Sequence, residues 1–234
     1  MELLKIARMV RTIYAAVALV IPIYSQQTVF NVPSDEAVEQ GDWFFQYQTG
    51  VRFWHPDSRW VQNYGVGYGV TDHLEIDATL FNVDVSQPSQ TRGGFGFKYL
   101  LSFGSPDPNQ APVDILFGDM GIVGEADHRF GNWAYAMLGI NIHGPRTRIF
   151  GGGFHGTKSL FGKTTAGFLG GFEQRVGGHW TIQADWVSGD HDLGYLVPGV
   201  AYAIHRHWRI SAGYQLPNPG SSGFRGIVFQ LSRS

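Results

Sequence analysis

Eight charged residues draw attention first, because each falls on the polar side of a stretch whose other side is apolar. Glu75, Asp77, Glu173 and Asp185 stand against Arg52, Lys98, Arg175 and Arg209, four acids and four bases. Charges gathered on one face of a set of strands can line a polar path for a solute. They can equally pair with one another and fill an interior. Residue types and spacing are consistent with both.

Other groups suggest chemistry and lack its context. Gly151-Gly152-Gly153-Phe154-His155-Gly156 has the spacing of a dinucleotide-binding turn. Alternating strand patterns surround it, and no helix is expected after it to present amides to a pyrophosphate. The run from Gly156 to Thr164 ends in Gly-Lys-Thr like a phosphate-binding loop, yet holds one residue too many between its glycines. Asp190-His191-Asp192 and the pair His205 and His207 offer metal ligands, but no further ligands follow at matching spacing, so both are read as solvated loops. No cofactor or metal is expected. Histidines and serines also raise lipid hydrolysis, but none are placed by pattern on neighbouring outward positions with an orienting Asn or Asp.

The elements that must position the eight charges are strands. From His179 to Ser188, Trp180, Ile182, Ala184 and Trp186 point one way while Thr181, Gln183 and Asp185 point the other. That period of two recurs in about twelve segments separated by turn residues. The pattern predicts strands over 42–53, 60–70, 74–83, 92–103, 113–123, 133–143, 146–155, 165–175, 179–188, 193–204, 208–216 and 224–232. Alternate connections are short, as at 71–73, 177–178 and 205–207, and the others are longer and rich in Gly, Pro, Ser and Asp; 104–112 breaks the rule. All seven tryptophans, Trp43, Trp54, Trp60, Trp133, Trp180, Trp186 and Trp208, fall at or beside strand ends. Two girdles of amphipathic rings around an apolar belt explain this better than a soluble core does. Inward glycines at 65, 67, 69, 94 and 96 would leave room for bulkier neighbours.

Composition supports that reading. The 234 residues include 32 glycines, and aromatic and charged residues each make up 15%, an aromatic-rich and charge-poor balance for a soluble protein. Lys5, Arg8 and Arg11 precede an apolar run from Ile13 to Ile23 that is too short to span a bilayer. Residues 1–25 therefore read as a signal peptide, with an anchoring helix as the alternative. Without them the chain is more acidic than the formal −2 of the whole, and nothing suggests nucleic acid. Cysteine is absent. No later apolar run is as long as a transmembrane helix, so a membrane would have to be crossed by a closed barrel.

Several stretches carry a family resemblance: Val32-Pro33 and Gly41 before the first strand, Gly69-Val70-Thr71-Asp72-His73-Leu74-Glu75-Ile76, Lys98-Tyr99-Leu100-Leu101, and Asp185-Trp186 with Ser188-Gly189 ahead of Gly194-Tyr195. In these the chain resembles the small outer-membrane β-barrel transporters, especially the family associated with the phenol-degradation meta-pathway. The resemblance implies a channel for small molecules, hydrophobic ones among them. It departs at the carboxyl end, where such barrels close on an aromatic residue read by the assembly machinery. Here Phe229 or Leu231 would serve.

The expected organisation is a signal peptide over 1–25, a periplasmic segment over 26–40, and an all-β, closed antiparallel transmembrane barrel of about twelve strands over 41–234. The expected place is the bacterial outer membrane, and the expected partners are outer-membrane lipid, a small-molecule solute and the barrel-assembly machinery. The expected function is passive uptake of small molecules, without enzymatic activity. A non-conducting structural or adhesive barrel is the alternative, with a membrane-embedded lipid hydrolase third.

Overall fold

Strands with one apolar and one more polar face must hide one of them, and in this protein the face that carries the charges is the hidden one. The computed structural model describes residues 28–34, 36–53, 59–83, 91–104, 112–124, 130–142, 146–205, 207–221, 223 and 225–233. Twelve strands run β1 (Trp43–Arg52), β2 (Arg59–Gly69), β3 (Leu74–Val83), β4 (Arg92–Phe103), β5 (Val113–Gly124), β6 (Phe130–Ile142), β7 (Thr147–Gly156), β8 (Ala166–Arg175), β9 (Trp180–Val187), β10 (Tyr195–His205), β11 (Trp208–Pro217) and β12 (Gly226–Arg233). Each pairs antiparallel with its sequence neighbours. β1 closes on β12 from Phe45↔Arg233 to Val51↔Ile227. Closure leaves no unpaired edge, which a lipid environment requires.

Side-chain exposure inverts the soluble pattern. Phe95, Phe130 and Phe168 are among the most exposed residues, while Glu75, Lys98, Gln183 and Asp185 are buried. An apolar exterior wrapped around an interior that holds the buried charges and amides, beside an apolar cluster including Leu116, Met137, Phe150 and Leu169, is stable against hydrocarbon and unstable against water. One acid departs from the rule. Asp119 alternates with the inward Gly118 and Met120 on β5, so it faces outward, where the Asn132 side chain donates to it.

Connections follow the expected alternation. Those at the end where β1 starts and β12 finishes cover 70–73, 104–112, 143–146, 176–179 and 206–207. At the other end they cover 53–58, 84–91, 125–129, 157–165, 188–194 and 218–225 and are longer, apart from 104–112, the exception already visible in the sequence. The connection after β7 contains one turn of helix, α1 (Lys158–Phe161), which the alternation pattern did not suggest. Its buried Phe161 packs on Trp133, Phe154 and His191.

Two expectations are corrected here. Trp133 is not a girdle residue: β6 begins three residues earlier, at Phe130, and Trp133 points into the barrel at 8% exposure. Trp43, Trp60, Trp180, Trp186 and Trp208 do lie exposed near strand ends; Trp54 lies outside the described residues. The segment expected in the periplasm is not a free extension either. Residues 28–34 and 36–40 fold into the barrel, with Val29, Phe30, Val32, Ser34 and Val38 all buried. Water disfavours that cluster of apolar side chains, and the lumen is the nearest shelter from it.

Candidate functional site

Which residues of the wall hold the inner segment follows from strand parity. Inward positions on β1, β9 and β12 bring Gln46, Gln48, Gln183, Asp185 and Gln230 to mid-barrel, and these amides and one carboxylate meet a tight turn of backbone. The turn closes on itself through the Val29 amide, which donates to the Val32 carbonyl at 3.0 Å, and a Thr28↔Pro33 bridge. Its three successive amides, from Phe30, Asn31 and Val32, all donate to Asp185 Oδ2 at 2.9, 2.6 and 2.8 Å. A buried carboxylate without a basic partner is costly, and convergent backbone amides are the other way to satisfy it. The carbonyls of the turn are capped in their turn. Gln48 donates to Phe30 O at 2.9 Å, Gln230 to Thr28 O at 3.1 Å and Gln183 to Val29 O at 3.4 Å.

Glycine makes the space. A Cβ at Gly199 or Gly213 would run into the Phe30 ring, and one at Gly69 into the backbone of Val38 and Glu39. The inward glycines thus accommodate the inner segment as well as wall side chains.

Nearer the end that carries the short connections, the segment is held by ions. Glu75 accepts the Val38 amide at 2.8 Å through Oε2, and its Oε1 lies 3.0 Å from Lys98 Nζ. Lys98 also donates to the Glu36 carbonyl at 3.0 Å. Glu36 pairs with Arg148, Arg148 with Glu173, and Glu173 with Arg209 at 2.5 Å. Arg209 further donates to Gln183, which joins this ionic chain to the amide ring above it.

Two cavities flank the segment. One of about 470 Å³ opens toward the longer connections and is lined by Arg52, Asp77, Arg92, Asp192 and Trp133, with Phe30 and Asn31 as its floor. The other, of about 490 Å³, opens toward the shorter connections between Glu36, Arg148, Arg175 and Arg209. They share no lining residue.

All eight charges singled out in the sequence are therefore inward, but they do not form one constellation. Glu75 with Lys98, and Glu173 with Arg209, are ion pairs; Asp185 binds backbone; Arg52 and Arg175 stand in separate cavities. Pattern reading missed Arg148 and Glu36. Arg148 could have been found from its neighbour Ile149, which faces outward and so turns Arg148 inward. The Asp190-His191-Asp192 loop is not simply solvated: the His191 ring is buried edge-on against Phe154 and Phe161, and burial holds its pKa below the usual 6.5. The glycine run 151–156 offers no cradle, although α1 does follow it. Gly152 abuts the Ala136 backbone and Gly156 abuts the Phe161 ring. Among the described residues no group of three or more His, Asp or Glu is gathered as metal ligands.

The chain superimposes on the KdgM porin, solved in complex with disordered oligogalacturonate, with a TM-score of 0.57 at 9% identity, covering 82% of this chain and 98% of that one. The two share the fold of a closed β-barrel. Acinetobacter baumannii outer membrane protein Omp33 is also similar, at a TM-score of 0.46 and 10% identity over 83% of this chain and 98% of that one. No family model and no curated protein matches this sequence.

Proposed function

We propose that this protein is an outer-membrane channel for passive uptake of small molecules, and that residues 28–40 are its plug. The observation that carries the reading is the pair of cavities, one facing each end of a closed, apolar-faced barrel, separated by a short segment of the same chain and the inward wall side chains packed against it. Residues 1–25 would deliver the chain as a signal peptide. The barrel-assembly machinery would then insert it through Phe229 or Leu231. The likeness to a porin solved with an oligosaccharide supports a small-molecule solute as partner. The resemblance to the phenol-degradation meta-pathway family extends the solute range to hydrophobic compounds. No catalytic role is proposed for any residue.

A second reading has its own support: the plug is so well buried that the barrel would be closed at rest and could serve a structural or adhesive role. Single-channel current across a planar bilayer separates the two. Full-length protein should show brief openings, and a variant lacking residues 28–40 should conduct continuously. Silence from both, with the heat-dependent gel mobility of a folded barrel intact, would favour the non-conducting reading.

A further inference from the structure

The cavity that opens toward the shorter connections, the inner cavity, holds an imbalance of charge that the plug does not use. Four arginines face it, Arg146, Arg148, Arg175 and Arg209, against two acids, Glu36 and Glu173. Both acids are committed: Glu36 to Arg148, and Glu173 to Arg148 and Arg209 together. Asp114, on β5 beside the cavity, is engaged by Asn141 at 2.9 Å. Among the described residues, no hydrogen bond or ion pair engages the guanidinium of Arg146 or of Arg175. Their backbones are joined, since the Arg175 amide donates to the Arg146 carbonyl at 3.2 Å, so two unpaired cations leave from adjacent points, the end of β8 and the residue just before β7. Like charges so placed repel one another until an anion lies between them.

We propose that this vestibule is a binding site for a small organic acid carrying one or two carboxylates. The proposal rests on the reading of the lumen as a solute path and specifies what the path admits. A guanidinium presents two parallel donors that match a carboxylate, and two guanidiniums on neighbouring backbone positions can grip both ends of a short diacid. The concave, low-dielectric wall concentrates their field and raises the local concentration of anions. About 490 Å³ exceeds what a bare inorganic ion fills, leaving space for a carbon chain. The arginines stand at the end with the short connections, below the plug. An acid arriving there meets fixed positive charge on leaving the channel rather than on entering it.

The test is calorimetric titration of the purified full-length protein in detergent with succinate, its neutral diamide succinamide, and inorganic phosphate. Succinate should bind saturably, succinamide at least tenfold more weakly, and phosphate more weakly than succinate. Arg146→Gln together with Arg175→Gln should weaken succinate at least tenfold while the gel mobility of the folded barrel is unchanged. Equal binding of succinate and succinamide would overturn the proposal, as would an unaltered affinity in the double variant. Phosphate binding tighter than succinate would overturn the organic-acid class. Because binding is read without current, a protein that binds succinate and never conducts refutes the channel and leaves this site standing. One that conducts without discriminating the acid from the diamide does the reverse.

Discussion

The two ends of the plug are held by opposite means. At the deep end, Asp185 is 1% exposed and has three backbone amides in place of a counterion, within a ring of glutamine amides. At the mouth end, Glu36 has a side chain 39% exposed and meets Arg148 in an ion pair open to the inner cavity. Hydrogen bonds to a buried charge contribute about 1.5–3 kcal/mol each, and removing their acceptor leaves every donor unsatisfied. Exposed ion pairs contribute about 0–1 kcal/mol. The contrast makes the Asp185 turn the stronger attachment and the Glu36 side chain the weaker one, while the backbone on either side of it stays tied to Glu75, Lys98 and Gly69.

The strongest way to break that comparison is Asp185→Ala. It strands the amides of Phe30, Asn31 and Val32, and plug docking should weaken by about 5 kcal/mol. Proteolysis within residues 28–40 should rise sharply, and channel openings with it. Ala184→Arg, one residue away but facing lipid, should instead lower barrel stability by about 2–4 kcal/mol without freeing the plug. If the two variants behave alike, Asp185 acts on the wall and not on the plug.

Glu75→Gln tests the middle of the segment, where the buried Lys98 would lose its ion-pair partner. Stability in urea should fall by about 3 kcal/mol, with Asp77 left as a weaker partner for the lysine. A neutral outcome would mean that water reaches Lys98, and the mouth region would then extend deeper than the geometry indicates.

At the mouth itself, Glu36→Gln should cost less than about 1 kcal/mol and leave proteolysis of the plug almost unchanged. A large loss would reverse the order of the two attachments.

The smallest effect is expected outside the membrane-spanning strands. Burial holds His191 below its usual pKa of 6.5, so the folded loop keeps it neutral while the unfolded chain takes up a proton below that pH. Stability associated with this histidine is therefore full above about 6.5 and declines as pH falls below it. Proteolysis of the 188–194 connection should be faster at pH 5 than at pH 8, and His191→Phe should flatten the difference. An unchanged profile in that variant would assign the pH response to another group.

The sequence by itself determined the wall. Period-two alternation over eight to thirteen residues places each strand within a few residues of where it lies, because successive side chains point to opposite faces and lipid accepts only one kind. For the same reason the inward direction of Glu75, Asp77, Lys98 and Asp185 was legible, since each sits between apolar neighbours. Trp133 was not, because β6 reads Trp-Ala-Tyr-Ala-Met-Leu with apolar residues on both faces, so parity had nothing polar to mark the lumen. Nor could alternation tell a path from a filled interior. Only the tertiary structure decided that, by bringing Phe30, Asn31 and Val32 to Asp185 across more than 150 residues of chain. A barrel's inward groups acquire partners from whatever enters the lumen, and local pattern carries no information about a contact whose two halves are far apart in sequence and meet only after the sheet has closed.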